Sequence, residues 1–138
     1  MEKQVTVGGA LLQGTRILLC RRAPNRHYYP GVWDVPGGHV HAAESIVEGL
    51  VRELEEELGV VPIRFAKLAI FSEPLPDGHV SNECHIYGVL AWTGTPCNLQ
   101  FEEHSEVRWF SWDETLTLEW AHPGLPKVLK AFVDLYGG

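Results

Sequence analysis

The stretch PGGHVHAAESIVEGLVRELEEELGV, residues 36–60, places six glutamates behind a double glycine, with an apolar residue recurring every three or four positions. At about 100° of rotation per residue, a helix here gathers Val47, Leu50, Val51, Leu54 and Leu58 on one core-facing arc. Glu53, Glu56 and Glu57 stand at i, i+3 and i+4 and share an adjacent arc, while Glu48 and Glu55 point elsewhere and read as solvated. Three carboxylates at that spacing repel one another by a few tenths of a kcal/mol per pair. A hard divalent cation reverses the sign of that interaction, because oxygen ligands are what Mg²⁺ prefers. Spacing alone leaves two readings open, a metal-binding face and an ordinary acidic surface. Gly49 adds a question of its own, since glycine inside a helix costs roughly 1 kcal/mol relative to alanine. Either the helix packs closely on a strand there, or bare backbone leaves room for a ligand beside the carboxylates.

The elements around this helix are legible from pattern. VTVGGALL and RILLCRR read as strands joined at Gln13-Gly14-Thr15, a hairpin signal. VWDVPGG reads as one short strand entering a glycine turn, and the glutamate-rich helix stops at Gly59 and Pro62. IRFAKLAIF and HVSNECHIYGVLAW are strand-like and separated by the turn-rich SEPLPDG. EVRWFSW follows as a strand, then LPKVLKAFVDLY as a closing helix with Pro126 in its first turn. Strands on both sides of one helix, with a second helix at the end, predict an α/β domain with a mixed sheet between helices.

Composition narrows the function classes. A chain of 138 residues with 45% hydrophobic residues and five tryptophans predicts one well-packed domain over 1–138. A formal net charge of −7 argues against a nucleic-acid polymer as partner, which needs a basic footprint. No stretch of about 18 apolar residues and no signal peptide is visible, so a cytoplasmic protein without membrane attachment is expected. Cys20, Cys84 and Cys97 are odd in number and widely spaced, which predicts reduced, buried thiols. Cys84 beside His85 is a poor zinc pair, since neighbours in a strand point to opposite faces.

The segment 38–60 matches G-x5-E-x7-R-E-U-x-E-E-x-G-U (U aliphatic) at every specified position: Gly38, Glu44, Arg52, Glu53, Leu54, Glu56, Glu57, Gly59 and Val60. It resembles the signature box of the Nudix hydrolases, the MutT-like enzymes that cleave nucleoside diphosphates linked to another group. The lead-in GVWDVPGGHV, the late EVRWFSWDE and the strand order extend the resemblance over most of the chain. The resemblance implies an α/β/α sandwich and Mg²⁺, with Mn²⁺ as substitute. It implies Glu53, Glu56 and Glu57 as carboxylate ligands, and Gly37 as a backbone carbonyl ligand. Glu53 is then also the acceptor of the attacking water's proton, directly or through a metal-bound hydroxide. Arg52 anchors the catalytic carboxylates with Glu44 as its partner, and Gly59 supports the end of the helix. A further carboxylate is expected from Glu102, Glu103 or Glu106, with Glu103 favoured.

Outside the box, either Arg21 or Arg22 can face the site, and Arg22 is taken as the phosphate contact. Gly38 lets backbone approach the phosphates closely. Tyr28, Tyr29 and Trp33 are candidates for base stacking or for core packing, Arg26 for a loop contact, and Trp109, Phe110 and Trp112 for core. His39 and His41 read as loop residues. The expected reaction is hydrolysis of an ordinary or oxidised nucleotide, such as 8-oxo-dGTP, to a nucleoside monophosphate and pyrophosphate. ADP-ribose, nucleotide sugars and dinucleoside polyphosphates are alternatives, as is a non-catalytic nucleotide-sensing module. The sequence allows a homodimer without specifying one.

Overall fold

The computed structural model describes residues 3–25, 30–74 and 81–138. In chain order the elements are β1 (Lys3–Gln13), β2 (Arg16–Arg22), β3 (Trp33–Asp34), β4 (Gly37–His39), α1 (Ile46–Leu58), β5 (Val61–Pro74), β6 (Ser81–Thr93), β7 (His104–Phe110) and α2 (Leu125–Tyr136). A single 3-10 turn at Asp113–Thr115 follows β7. The sheet runs β3-β2-β1-β6-β5, with β4 added on β1 and β7 on β2. Its mixed character comes from β1, which is parallel to β6 from Lys3↔Ser81 to Leu11↔Val89 and antiparallel to β2 and β4 on its other edge.

Alternation along the strands sorts the core into two halves. Val7 and Leu11 of β1, Leu18 of β2 and Tyr87 and Val89 of β6 pack under Leu50, Leu54 and Leu58 of α1. Ala10, Leu12, Ile17 and Leu19 face the other way, onto Leu125, Leu129, Phe132 and Val133 of α2. Two helices on opposite faces of one mixed sheet make the expected α/β/α sandwich. None of the described helices is long and apolar enough to cross a membrane.

The ends of α1 are set by sequence. Ser45 Oγ accepts the Glu48 N–H at 3.1 Å, and Glu48 Oε1 accepts the Ser45 N–H at 2.8 Å, a complete capping box. Gly59 closes the helix at φ 73°, a left-handed value that glycine reaches without strain.

Its rotational setting differs from the apolar pattern. The buried positions are Gly49, Leu50, Leu54, Glu57 and Leu58. Val47 is 39% exposed and Val51 only half-buried, whereas both were expected in the core stripe. The buried arc is therefore turned by roughly 60° toward the glutamates. Gly49 explains the turn, because its Cβ would sit 3.1 Å from Val40 Cγ2 and 3.4 Å from Val7 Cγ1. The helix leans on β1 through bare backbone, so Gly49 is a packing residue and does not line the cleft described below.

The segment VWDVPGG is not one strand. Trp33–Asp34 pairs with β2 and Gly37–Gly38 with β1, and the chain steps between them at Val35-Pro36. Proline has no N–H to give a ladder, and here its carbonyl accepts from Gly9 at 2.9 Å. The cysteines also depart from expectation: all are free, but only Cys20 is buried, Cys84 is partly buried and Cys97 is exposed.

Candidate active site

Beside the step from β3 to β4 lies a cleft of about 420 Å³, lined by residues of the sheet, of α1 and of the start of α2 with the loop before it. Its outer end is lined by Gly37, Gly38, Arg52, Glu53, Glu56, Glu103 and His104, and its inner end by Asp34, Phe71, Asn82, Ile86, His122 and Leu125. A Cβ on Gly38 would lie 2.1 Å from Glu53 Oε1, so any side chain there displaces the Glu53 carboxylate. A Cβ on Gly37 would lie 2.0 Å from the Val7 carbonyl oxygen.

Arg52 organises the acidic face. Its Nε and Nη2 donate to the two oxygens of Glu44 at 2.6 and 3.0 Å, a bidentate pair. Nη2 also donates to the His39 carbonyl at 2.8 Å, and Nη1 lies 3.2 Å from Glu56 and 3.6 Å from Glu53. The guanidinium pulls the Glu44 carboxyl down to about 2 and is itself pushed further up. Glu53 moves the opposite way, up to about 7, because burial and the charge and shared hydrogen bond of Glu57 outweigh Arg52.

The three glutamates of the predicted face are unequal. Glu56 is half exposed, Glu53 mostly covered, and Glu57 only 1% exposed. Glu57 Oε1 meets His104 Nε2 of β7 and also accepts the Gly37 N–H at 3.4 Å. The ligating atoms of Glu57, Glu103 and His104 lie within 4.8 Å of one another. Of the three late carboxylates considered, Glu103 is thus the one beside the box. Glu102 is exposed, and Glu106 pairs with Arg21 and Arg108 on the surface.

The donor set fits a hard divalent cation. Several carboxylates converge across a glycine cradle, and burial together with the charge of Glu57 holds Glu53 partly protonated, a tension that a cation relieves. Glu57, Glu103 and His104 could hold it, and Glu53, Glu56 and the Gly37 backbone line the same part of the molecule.

On β2 the two arginines separate as alternation requires. Arg21 is exposed and donates to the Gly31 carbonyl, whereas Arg22 lines the cleft beyond a β-bulge. Trp33 does not reach the cleft. It is buried edge-on against Phe110 at 4.9 Å with the Arg108 guanidinium over its ring, so the substrate-stacking reading is corrected to core. Phe110 is core, and Trp109 and Trp112 are partly buried, packed against the core from its edge. Arg26, Tyr28 and Tyr29 lie outside the described residues. Cys84 lines the cleft, while His85 lies on the opposite face with Glu83, which separates the adjacent pair.

Sequence reasoning missed His104, Asp34 and the aromatic inner end. His104 stands next to Glu103, yet only the fold reveals that this strand start faces the end of α1. Asp34 is pushed up to about 6 by burial. Phe71 and His122 come from β5 and the loop before α2 and stack face to face with centroids 4.1 Å apart.

Comparison with known proteins agrees with this architecture. The NUDIX domain family model matches residues 2–132. The CTP pyrophosphohydrolase of Escherichia coli K12 is 31% identical over 133 residues, covering 96% of this chain and 94% of that protein. An ADP-ribose pyrophosphatase of Methanocaldococcus jannaschii is 35% identical over 92 residues, or 65% of this chain. The chain spans only about half of that relative's length (53%). The solution structure of the E. coli ORF135 protein superposes with a TM-score of 0.78 at 30% identity, covering 98% of this chain and 91% of that one. Family match, shared fold and an intact acidic helix coincide on the same residues: this chain belongs to the Nudix family.

Proposed function

We propose that this domain is a Mg²⁺-dependent pyrophosphohydrolase of nucleoside triphosphates, releasing a nucleoside monophosphate and pyrophosphate. The observation that carries the reading is the two-ended cleft. One end is lined by carboxylates, arginines and glycine backbone suited to a cation and phosphates. The other end sets Phe71, Ile86 and Leu125 beside the polar groups of Asp34, Asn82 and His122, a lining suited to stacking on and hydrogen-bonding a base. The extent of the match to a relative named for CTP hydrolysis, nearly end to end, favours a free nucleotide over a larger conjugate.

Glu53, Glu56, Glu57 and Glu103 would hold a divalent cation, which when bound would supply positive charge to neutralise phosphate oxygens and ease ionisation of the attacking water. The chain's own groups do the rest. Arg52 clamps Glu44 and leans on Glu53 and Glu56, which fixes the carboxylates before substrate arrives. Glu53 takes the proton of the attacking water as the water oxygen bonds to phosphorus and the bridging P–O bond breaks toward pyrophosphate. Gly37 and Gly38 let backbone approach the phosphates, and Arg22 reaches them from the facing wall.

The test is turnover of a nucleotide panel with Mg²⁺, with monophosphate and pyrophosphate resolved by chromatography. Turnover that survives excess EDTA, or a panel in which no nucleotide is cleaved, overturns the reading.

A further inference from the structure

The inner end of the cleft holds polar groups that the chemistry of phosphate cleavage does not use. Asp34 sits on the two-residue strand β3, clamped by its pairing with Cys20 of β2. Its Oδ1 accepts the Val35 N–H at 2.8 Å, which fixes the plane of the carboxyl. Oδ2 makes no hydrogen bond within the described residues, and the side chain lines the cleft. Across the same space His122 is held in one tautomer. Its Nδ1 accepts the Gly124 N–H at 2.8 Å, so the neutral ring carries its proton on Nε2. Stacked on Phe71 with planes 9° apart, the ring forms a flat, rigid wall.

A flat wall suits any base and selects none. Selection falls to the fixed carboxylate, which as an ion only accepts hydrogen bonds. An exocyclic amino group placed at Oδ2 gives it a donor. A keto oxygen in the same position sets two acceptors against each other and leaves the carboxylate desolvated without a partner. We propose that Asp34 is a specificity-determining residue that admits nucleobases through an exocyclic amino group and disfavours their keto counterparts, with Phe71 and His122 as the wall behind the base. This inference rests on the nucleotide reading of the cleft and adds the class of base.

CTP and UTP share size and phosphates and differ in the amino or keto group at one ring position, with the adjacent ring nitrogen's proton. ATP and ITP form a similar pair. kcat/KM for each pair, and equilibrium dissociation constants measured calorimetrically with Ca²⁺ in place of Mg²⁺, read the selection with and without turnover. The amino member should lead in at least one pair by roughly tenfold to a hundredfold, carried mainly in KM. Asp34→Asn, which replaces one acceptor oxygen by an NH₂ donor, should move that ratio toward the keto member by about tenfold or more. Asp34→Ser, smaller and uncharged, should erase the preference even if the asparagine variant misfolds. Equal handling of both members by the wild-type protein overturns the inference, as does an unchanged ratio in a folded Asp34 variant. Amino-selective binding without turnover instead sinks the hydrolytic reading and leaves this one standing.

Discussion

Glu53 and Glu55 are chemically identical and two residues apart, yet they stand about 200° apart on the helix. One lies on the cleft beside Arg52 and Glu57, the other in solvent. Glu53→Gln should lower kcat by about a hundredfold or more, since it removes both a cation ligand and the proton acceptor. Glu55→Gln should keep near-normal rate and stability. Steady-state kinetics on the two variants, with a melting curve for each, decides this, and matching behaviour would show that the helix phase does not set the chemistry. His104 belongs to the same scale. Its ring nitrogen on Glu57 orients a buried carboxylate, the kind of outer contact whose loss typically costs ten- to a hundredfold in metal affinity. His104→Ala should weaken Mn²⁺ binding, followed by electron paramagnetic resonance, by about tenfold, with partial recovery in His104→Gln. Unaltered Mn²⁺ affinity in the alanine variant would leave His104 as packing alone.

At the scale of elements, α1 determines which glutamate is covered and which is free. Gly49 sets its approach to β1, and a methyl group there meets Val40 at 3.1 Å, tight but adjustable. Gly49→Ala should therefore stay folded, the gain in helix propensity of about 1 kcal/mol opposing the crowding. Gly49→Leu cannot be seated between Val7 and Val40 without lifting the helix and should lower the melting temperature sharply. A leucine variant as stable as the parent, measured by thermal denaturation, contradicts this packing. The helix start is a smaller lever: Ser45→Ala removes the cap on Glu48 and should cost about 1 kcal/mol in urea titrations. The hairpin-like signals, both helices and the closing Gly59 were legible in the sequence because capping, period and turn chemistry are local. The split of VWDVPGG was not, because it depends on β1 and β2 competing for one extended segment.

For the molecule as a whole, the cleft concentrates carboxyls that resist ionisation. Asp34 rises from 3.8 to about 6 and Glu53 from 4.5 to about 7, so the native state keeps protons that the unfolded chain has released. Both groups therefore withdraw stability as pH climbs from about 4 to about 7. Glu44, drawn down to about 2 by Arg52, does the reverse and withdraws its contribution as pH falls below 4.5. The metal-free protein should be most stable near pH 4 to 5 and melt lower at pH 7.5. Saturating Mg²⁺ should flatten the upper side, because the cation replaces the proton's role at Glu53. Melting temperatures across pH in EDTA and in Mg²⁺ give the comparison. A profile in EDTA that rises toward neutrality would contradict the burial of these two groups.

The sequence by itself determined the acidic helix, its two ends, the identity of its three glutamates and the family they point to. These follow from spacing along one chain segment, where i, i+3 and i+4 positions share a face whatever surrounds them. Glu44 as the partner of Arg52 and Glu103 as the late carboxylate were also readable, on the strength of the resemblance. Only the tertiary structure decided that Glu57 is buried on His104 and that Val47 faces solvent. It also decided that Trp33 belongs to the core and that Asp34, Phe71 and His122 meet at the inner end of one cleft. Each of those depends on how far a helix rolls on a sheet, or on which residues of β3, β5 and the loop before α2 converge across gaps of some forty to fifty positions. Periodicity in a single chain carries no record of such meetings, since the energy that fixes them is shared between segments rather than written within one.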